Sequence, residues 1–297
     1  MAKDYAQEFT DSIIKIIESG ETLPWRKSWQ SRDLPHQNLK SGSPYSGVNV
    51  LMLLVSAYLN GLTSPYWLTF KQAKEMGGQV KKGSKGTAIT FYKSLTVDDE
   101  TAPDGEATIH VRRFYTVFNL DQIEGIEAPE ASVINGEELT LDENKDRLER
   151  HLMAYAETEG ITHRVSGGSA YYSPVADLVN MPTGFTSVAG YAGTLAHEYI
   201  HSTGHKSRLN RFESGATSTK EHKEAYATEE LVAELGAGML CGLFGLESDV
   251  VDHASYIESW LRHLRGNKDF VFKAAAKAQK AINFIDTAVN LNQVQAA

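Results

Sequence analysis

The sequence predicts an α+β protein of two domains: a small N-terminal α+β domain and a mainly helical C-terminal domain. Three observations carry that prediction. Glu124 to Glu138 is rich in Glu, Gly and Pro and reads as a linker. Residues 1–125 hold 14 Lys and Arg against 14 Asp and Glu, whereas residues 126–297 hold 15 against 24, so the net charge of −9 lies entirely in the second part. Strand-like runs with β-branched residues cluster in the first part, and helical periodicity dominates the second. The division that follows is 1–125, a linker at 126–140, and 141–297.

In the first part a helix is expected from Asp4 to about Ser19, with Phe9, Ile13, Ile16 and Ile17 on its apolar side. A loop follows from Leu23 to Trp29. Gly42 to Gly47 is turn material, and a buried helix runs from Val48 to Leu59, stopped by Asn60-Gly61. Thr69 caps a short helix. Thr87–Lys93 and Ile109–Asn119 read as strands joined by the acidic turn Asp98 to Gly105. In the second part Asn144–Glu159 is helical and Thr162–Pro182 strand-like. Helices are then expected around residue 197 and over Glu224–Phe244, Ala254–Leu264 and Asp269–Asn290, with a polar loop from Lys206 to Lys223.

Composition limits the function classes. The longest apolar run, Val48 to Leu59, is too short to span a bilayer, and the N-terminus lacks the apolar core of a signal peptide. One cysteine, Cys241, cannot form an internal disulfide and sits in an apolar helix, so it reads as buried and inert. The expectation is a cytoplasmic protein with no membrane contact.

The strongest chemical signal is Leu195-Ala196-His197-Glu198-Tyr199-Ile200-His201, an H-E-x-x-H motif. On a helix His197 and His201 leave the same face and can share one Zn²⁺, or another divalent metal such as Mn²⁺. Glu198 stands beside them as general base, placed to take a proton from water at the metal. A third ligand is needed. Ser207 occupies the place where a metzincin would have its last histidine, so a carboxylate from the helix carrying Glu229, Glu230 and Glu234 is the better candidate. Glu230 is the first choice and Glu229 its close competitor, since a small rotation of the helix exchanges them. Glu234 is expected to accept the N–H of a metal-bound histidine. The pattern resembles that of gluzincins.

Between residues 22 and 97 ten basic residues face only Asp33 and Glu75. Aromatics lie among them, and the candidate contacts are Trp25, Arg26, Lys27, Trp29, Tyr45, Trp67, Lys81, Lys82, Lys85, Tyr92 and Lys93. Cations that track phosphates and rings that stack on unpaired bases are what single-stranded nucleic acid requires. The bland alternative is that the tryptophans are core and the lysines solubilising.

Together these residues resemble ArdC-type antirestriction proteins of conjugative plasmids. The resemblance spans nearly the whole chain. Its carriers are Leu23-Pro24-Trp25, Asn49 in its apolar helix, Val80 to Gly86, Phe91-Tyr92-Lys93, Glu229 to Gly236 and, most specifically, His197 to Arg211. It implies an N-terminal domain that binds single-stranded DNA, a zincin-like metallopeptidase domain, and protection of incoming DNA from host restriction. Two functions remain open: a peptidase acting on a protein bound to entering DNA, and a non-proteolytic coat on the strand whose zincin domain is structural or binds a partner.

Overall fold

Helix α1 (Tyr5–Ser19) turns Phe9, Ile13, Ile16 and Ile17 to one side and buries them, as their spacing requires. What they pack on is not the part of the chain that follows. Phe9 meets Phe272 edge-on with ring centroids 5.7 Å apart, and the Thr10 hydroxyl donates to the Lys268 carbonyl. The computed structural model, which describes residues 4–26, 35–98, 106–129, 139–212, 219–250 and 254–296, accordingly divides into two units. One comprises Met1–Tyr5 and His36–Ala128, the other Ala6–Pro35 and Pro129–Ala297. The boundary at 128 falls within the linker read at 126–140, and the grouping differs from that reading at the N-terminus. Residues 6–35 belong with the C-terminal unit, because their apolar surface is completed by helices more than two hundred residues away. Most of the expected linker, 130–138, lies outside the described residues.

The 36–128 unit is α+β. Its elements are β1 (Gln37–Asn38), α2 (Val48–Asn60), β2 (Tyr66–Leu68), α3 (Phe70–Glu75), β3 (Gln79–Val80), β4 (Thr87–Asp98), β5 (Glu106–Asn119) and β6 (Ile123–Glu124). The larger sheet has the order β1-β2-β5-β4, with β1 parallel to β2 and the other pairs antiparallel; β3 and β6 form a small second sheet. The β4–β5 strands run longer than their β-branched runs alone suggested. Ladder pairing carries the less apolar residues with it, from Thr87 opposite Val117 to Asp98 opposite Glu106. Of the turn between them, 99–105 lies outside the described residues. Helix α2 ends at Gly61, whose φ of 62° suits the left-handed cap. Leu53 on α2 packs with Trp67, Ile89 and Val117 to make the core. Asn49, a buried polar residue on that apolar helix, is explained by the strand it faces. Its amide donates to the Thr90 carbonyl at 2.9 Å and accepts the Thr90 N–H at 2.8 Å, satisfying the outer edge of β4.

The second unit is mainly helical. Helix α4 (Leu141–Glu159) opens on a Thr140–Glu143 capping box and closes at Gly160. A three-stranded sheet of β7 (Thr162–Val165), β8 (Tyr171–Ser173) and β9 (Leu178–Met181) follows in the order β7-β9-β8, which leaves β8 at the edge. Then come α5 (Val188–Ser202), α6 (Thr219–Leu243), α7 (Ala254–Gly266) and α8 (Phe270–Ala296). Residues 213–218 of the predicted polar loop lie outside the described residues. Helix α6 is the axis of the unit: Leu231, Val232, Ala233, Leu235 and Leu240 are buried along it. Gly238 sits where α6 meets the short 3₁₀ turn Pro24–Arg26; a Cβ there would stand 2.4 Å from the Trp25 carbonyl oxygen. Cys241 is buried in the same helix, and burial pushes its thiol up to about 12, as expected of an inert core cysteine. Among the described residues, no helix is long and apolar enough to cross a membrane.

Candidate metal centre

The Ser187 hydroxyl caps α5 by accepting the Gly190 N–H at 3.0 Å, and one turn further Gly193 lets the 248–249 backbone approach closely. Helix α5 therefore runs buried through the unit and presents His197 and His201 on one face. Their Nε2 atoms lie 3.0 Å apart. Helix α6 brings Glu230 opposite, with Oε2 3.4 Å from His197 Nε2 and Oε1 3.4 Å from His201 Nε2. One atom of each of the three residues falls within 4.8 Å of the others. Two imidazole nitrogens facing one another across a carboxylate would be a poor packing arrangement. As a His₂Glu donor set they suit a shared divalent cation, with a position left open for substrate.

The charges agree. Burial alone would lower the His201 pKa, but the Glu229 and Glu230 carboxylates outweigh it and push it up to about 10. The site draws a positive charge, and a proton or a metal ion can supply it. Glu230 is held well below the ordinary carboxylate range: burial opposes this, and His197 and His201 more than offset it.

Of the two competing glutamates, the geometry separates the roles. Glu229 faces the outer nitrogen of His201, with Oε1 3.4 Å from Nδ1. It is also gripped by Arg211, whose Nε and Nη2 reach its oxygens at 3.0 and 2.7 Å. Arg211 continues to the Thr203 hydroxyl and the Ile200 carbonyl, both at 2.7 Å, tying the end of α5 to α6. Glu229, and not Glu234, is therefore the carboxylate that faces the outer nitrogen of His201. Glu234 is one helical turn further along α6 and does something else: it accepts from Trp25 Nε1 at 3.2 Å and Arg26 Nε at 2.6 Å. Arg211 carried no local signal of its role, because an arginine in a polar loop is ordinarily solvated.

Glu198, buried beside the two histidines, lines a cleft of about 770 Å³ that also admits His197, His201 and Glu230. Tyr171 and Tyr172 of the edge strand β8 line the same cleft. Tyr226 lines it too and lies next to Tyr256, ring centroids 5.8 Å apart; burial raises its hydroxyl pKa, and the Glu230 carboxylate adds to the rise. Behind β8, Arg208 bonds Asp177, the Tyr172 hydroxyl and the Ser202 carbonyl, which locks the strand pair to the end of α5. His205 turns away to Ser207.

The predicted nucleic-acid contacts fare unevenly. Trp25 and Trp67 are core residues, 2% and 0% exposed, and neither offers a face to a base. Their indole N–H groups are engaged by Glu234 and by His36 Nδ1, the latter at 2.9 Å. Arg26 is engaged by Glu234 as well. Lys81, Lys82 and Lys85 are exposed around the turn at Gly83, and Lys81 also donates to the Asp121 carbonyl. Tyr45 is half-buried against the core of the 36–128 unit. Lys27 and Trp29 lie outside the described residues; Tyr92 and Lys93 lie on β4, but their side chains are outside them too.

Two family models match the chain. The N-terminal domain of anti-restriction factor ArdC covers residues 3–118, and a zincin-like metallopeptidase covers 150–277. The crystal structures of the antirestriction ArdC protein from plasmid R388 superpose well. The metal-free form has a TM-score of 0.77 at 40% identity, over 97% of this chain and 98% of that one; the Mn(II)-bound form has 0.75 at 39%. An uncharacterised protein, y4eC of Sinorhizobium fredii (strain NBRC 101917 / NGR234), is 34% identical over 95% of this chain and 91% of its own. A DNA primase TraC from Escherichia coli is 30% identical over 95% of this chain, which spans 27% of that longer protein. The chain belongs to the ArdC antirestriction family.

Proposed function

From that membership and the metal centre, we propose that this is an antirestriction protein of a conjugative plasmid. In this reading the 36–128 unit holds single-stranded DNA, and the metal unit hydrolyses a protein bound to the entering strand. The observation that carries the reading is the convergence of His197, His201 and Glu230 with an intact Glu198 in one cleft. A coat with a relict fold has no use for a general base.

A divalent cation held by His197, His201 and Glu230 polarises a carbonyl and acidifies water when bound; the family expectation is Zn²⁺, and the R388 relative was crystallised with Mn(II). The chain's own residues do the rest. Glu198 takes a proton from the attacking water and passes it to the leaving amine. The Tyr226 hydroxyl donates toward the carbonyl oxygen as charge develops there. The unpaired edge of β8 aligns an extended peptide across the cleft. Around the 36–128 unit, residues 36–97 carry seven lysines against one acidic residue, Glu75, a balance that favours phosphate. The occurrence of a similar segment within proteins named DNA primase supports DNA as the partner.

The test is transfer of plasmid DNA into a restricting host with Glu198→Gln, which keeps the ligands and removes the base. Protection is expected to fall to the level of a strain lacking the protein. If Glu198→Gln protects as well as wild type while Lys81→Ala/Lys82→Ala does not, the strand-coating reading replaces the peptidase.

A further inference from the structure

On the face of the β4–β5 pair that α2 covers, Thr87, Ile89 and Val117 are buried. The same face continues outward by the two-residue period of a strand to Phe91 and Tyr115, which are 50% and 47% exposed. Their rings meet edge-on with centroids 5.6 Å apart. Large rings left half in water at the mouth of a core are unusual, and here they wall a pocket of about 450 Å³, within the range of small-ligand sites. We propose that this pocket takes one unpaired nucleobase of single-stranded DNA, stacked on the face of Phe91 with Tyr115 against its edge. The inference rests on the single-strand reading above and assigns it a site.

The chemistry of the lining selects a base. Among the described residues its polar groups are amides and hydroxyls and include no charged side chain, so a neutral heterocycle enters rather than a phosphate. Asn38 and Gln72 exchange amide hydrogen bonds at 3.0 and 3.3 Å. Thr69 and Ser41 donate to the oxygens of that pair and Asn38 also bonds the Tyr45 hydroxyl, which leaves the pair chiefly a Gln72 N–H to offer, suited to a carbonyl oxygen or ring nitrogen of a base edge. Charge is carried by neighbours of the lining residues. Lys40 and Lys71, flanking these amides in sequence, share the single carboxylate of Glu75, so a net positive charge remains for the phosphate on either side of the base. Arg113, exposed and opposite Phe91 in the ladder, adds another. A base within a duplex has both faces stacked and its pairing edge engaged, and it cannot enter. The pocket therefore distinguishes single from double strands, a task for which Trp25 and Trp67 are too deeply buried.

The experiment measures binding of the full chain to a labelled single strand by fluorescence anisotropy, with an abasic strand of equal length in parallel. Phe91→Ala should weaken binding of the normal strand roughly 5- to 150-fold, the range of a lost base stack, and Tyr115→Ala, which removes an edge contact, by a smaller factor. Neither should change the weak binding of the abasic strand, nor the salt slope, which counts phosphate contacts. Phe91→Trp should restore affinity. Phe70→Ala, which removes a ring of similar exposure outside the pocket, should have no effect. Wild-type affinity in both alanine variants overturns the pocket while leaving single-strand binding intact. Equal losses on normal and abasic strands assign the rings to the fold instead, and overturn it. A free deoxynucleoside monophosphate bound as tightly as the strand makes this a nucleotide site and likewise overturns it. Absence of any single-strand binding by the wild type removes the underlying reading together with the pocket.

Discussion

Replacing Glu229 and Glu230 in turn by glutamine separates two glutamates that are adjacent in sequence and equally buried. Glu230 turns one oxygen to each Nε2 and is the ligand of the proposed site; Glu229 stands on the far side of His201 with Arg211. If a four-ligand site binds its metal with about 10–16 kcal/mol, a direct ligand carries roughly 3–4 kcal/mol, so Glu230→Gln should lower metal affinity by on the order of a thousandfold. Glu229→Gln keeps an acceptor for the His201 N–H and loses only the charge, which corresponds to a loss of about 10- to 100-fold. Stability should respond in the opposite order. Arg211 is 6% exposed, and a buried cation deprived of its partner costs about 3–5 kcal/mol. Its remaining bonds to Thr203 and Ile200 place Glu229→Gln near the lower limit. Glu230→Gln removes the carboxylate that pairs with His197 and His201 and should also destabilise the metal-free protein, by less than Glu229→Gln because His201 can give up its proton whereas Arg211 cannot. Chelator-competition titrations give the affinities, and urea melts of the metal-free protein give the stabilities. If Glu229→Gln abolishes metal binding and Glu230→Gln retains it, the ligand assignment is inverted and the reasoning from the two histidine nitrogens fails.

Two further outcomes follow from groups outside the cleft. Arg26→Ala should destabilise the metal unit by about 3 kcal/mol, because Glu234 is 1% exposed and loses its cation, and should leave DNA affinity unchanged; weaker DNA binding with unaltered melting would return Arg26 to the nucleic-acid surface. The 36–128 unit should lose stability in mild acid through His36. Burial lowers the His36 pKa from 6.5 to about 4, against a smaller opposing effect of its bond to the Pro65 backbone, and Nδ1 must stay unprotonated to accept from Trp67. The unfolded chain then binds more protons than the folded one between those values. The contribution is complete above pH 6.5, falls through that window, and amounts to about 3 kcal/mol by pH 4. Melts as a function of pH should lose this slope in His36→Asn, and a His36 resonance titrating near 6.5 in the folded protein refutes the assignment.

What was legible in the sequence was what helices and strands impose locally. His197 and His201 are four residues apart, so a helix alone brings them together, and the cap Thr69 and the left-handed Gly61 fix where two other helices begin and end. The third ligand was legible only as a pair. Neighbours on a helix point about 100° apart, and the rotation of α6 that chooses Glu230 over Glu229 is set by its packing on α5, a contact no local pattern encodes. The same limit misplaced Glu234. One turn beyond Glu230 it shares that residue's face, but the chain it meets is the Trp25–Arg26 turn, 208 residues earlier in sequence. That distant pairing also explains why tryptophans among cations looked like stacking platforms. An indole whose N–H finds a buried acceptor is a core residue whatever its neighbours are, and the acceptors, Glu234 and His36, are supplied by the tertiary fold.

Phe91 and Tyr115, which do reach solvent, are marked by a different regularity. Ile89 and Phe91 share one strand phase, and Tyr115 and Val117 share the facing one. Reading that alternation outward from the core, and not the density of aromatics among lysines, identifies Phe91 and Tyr115 as the residues where the apolar face leaves the interior. Aromatic content alone cannot distinguish an interior tryptophan from a stacking platform; strand phase, together with the place where the covering helix ends, can. By this criterion the surface for an unpaired base is the continuation of the hydrophobic core past the end of its cover. Its affinity for a strand should therefore depend on how firmly Asn49 holds α2 against Thr90, and not on the two buried tryptophans as stacking partners.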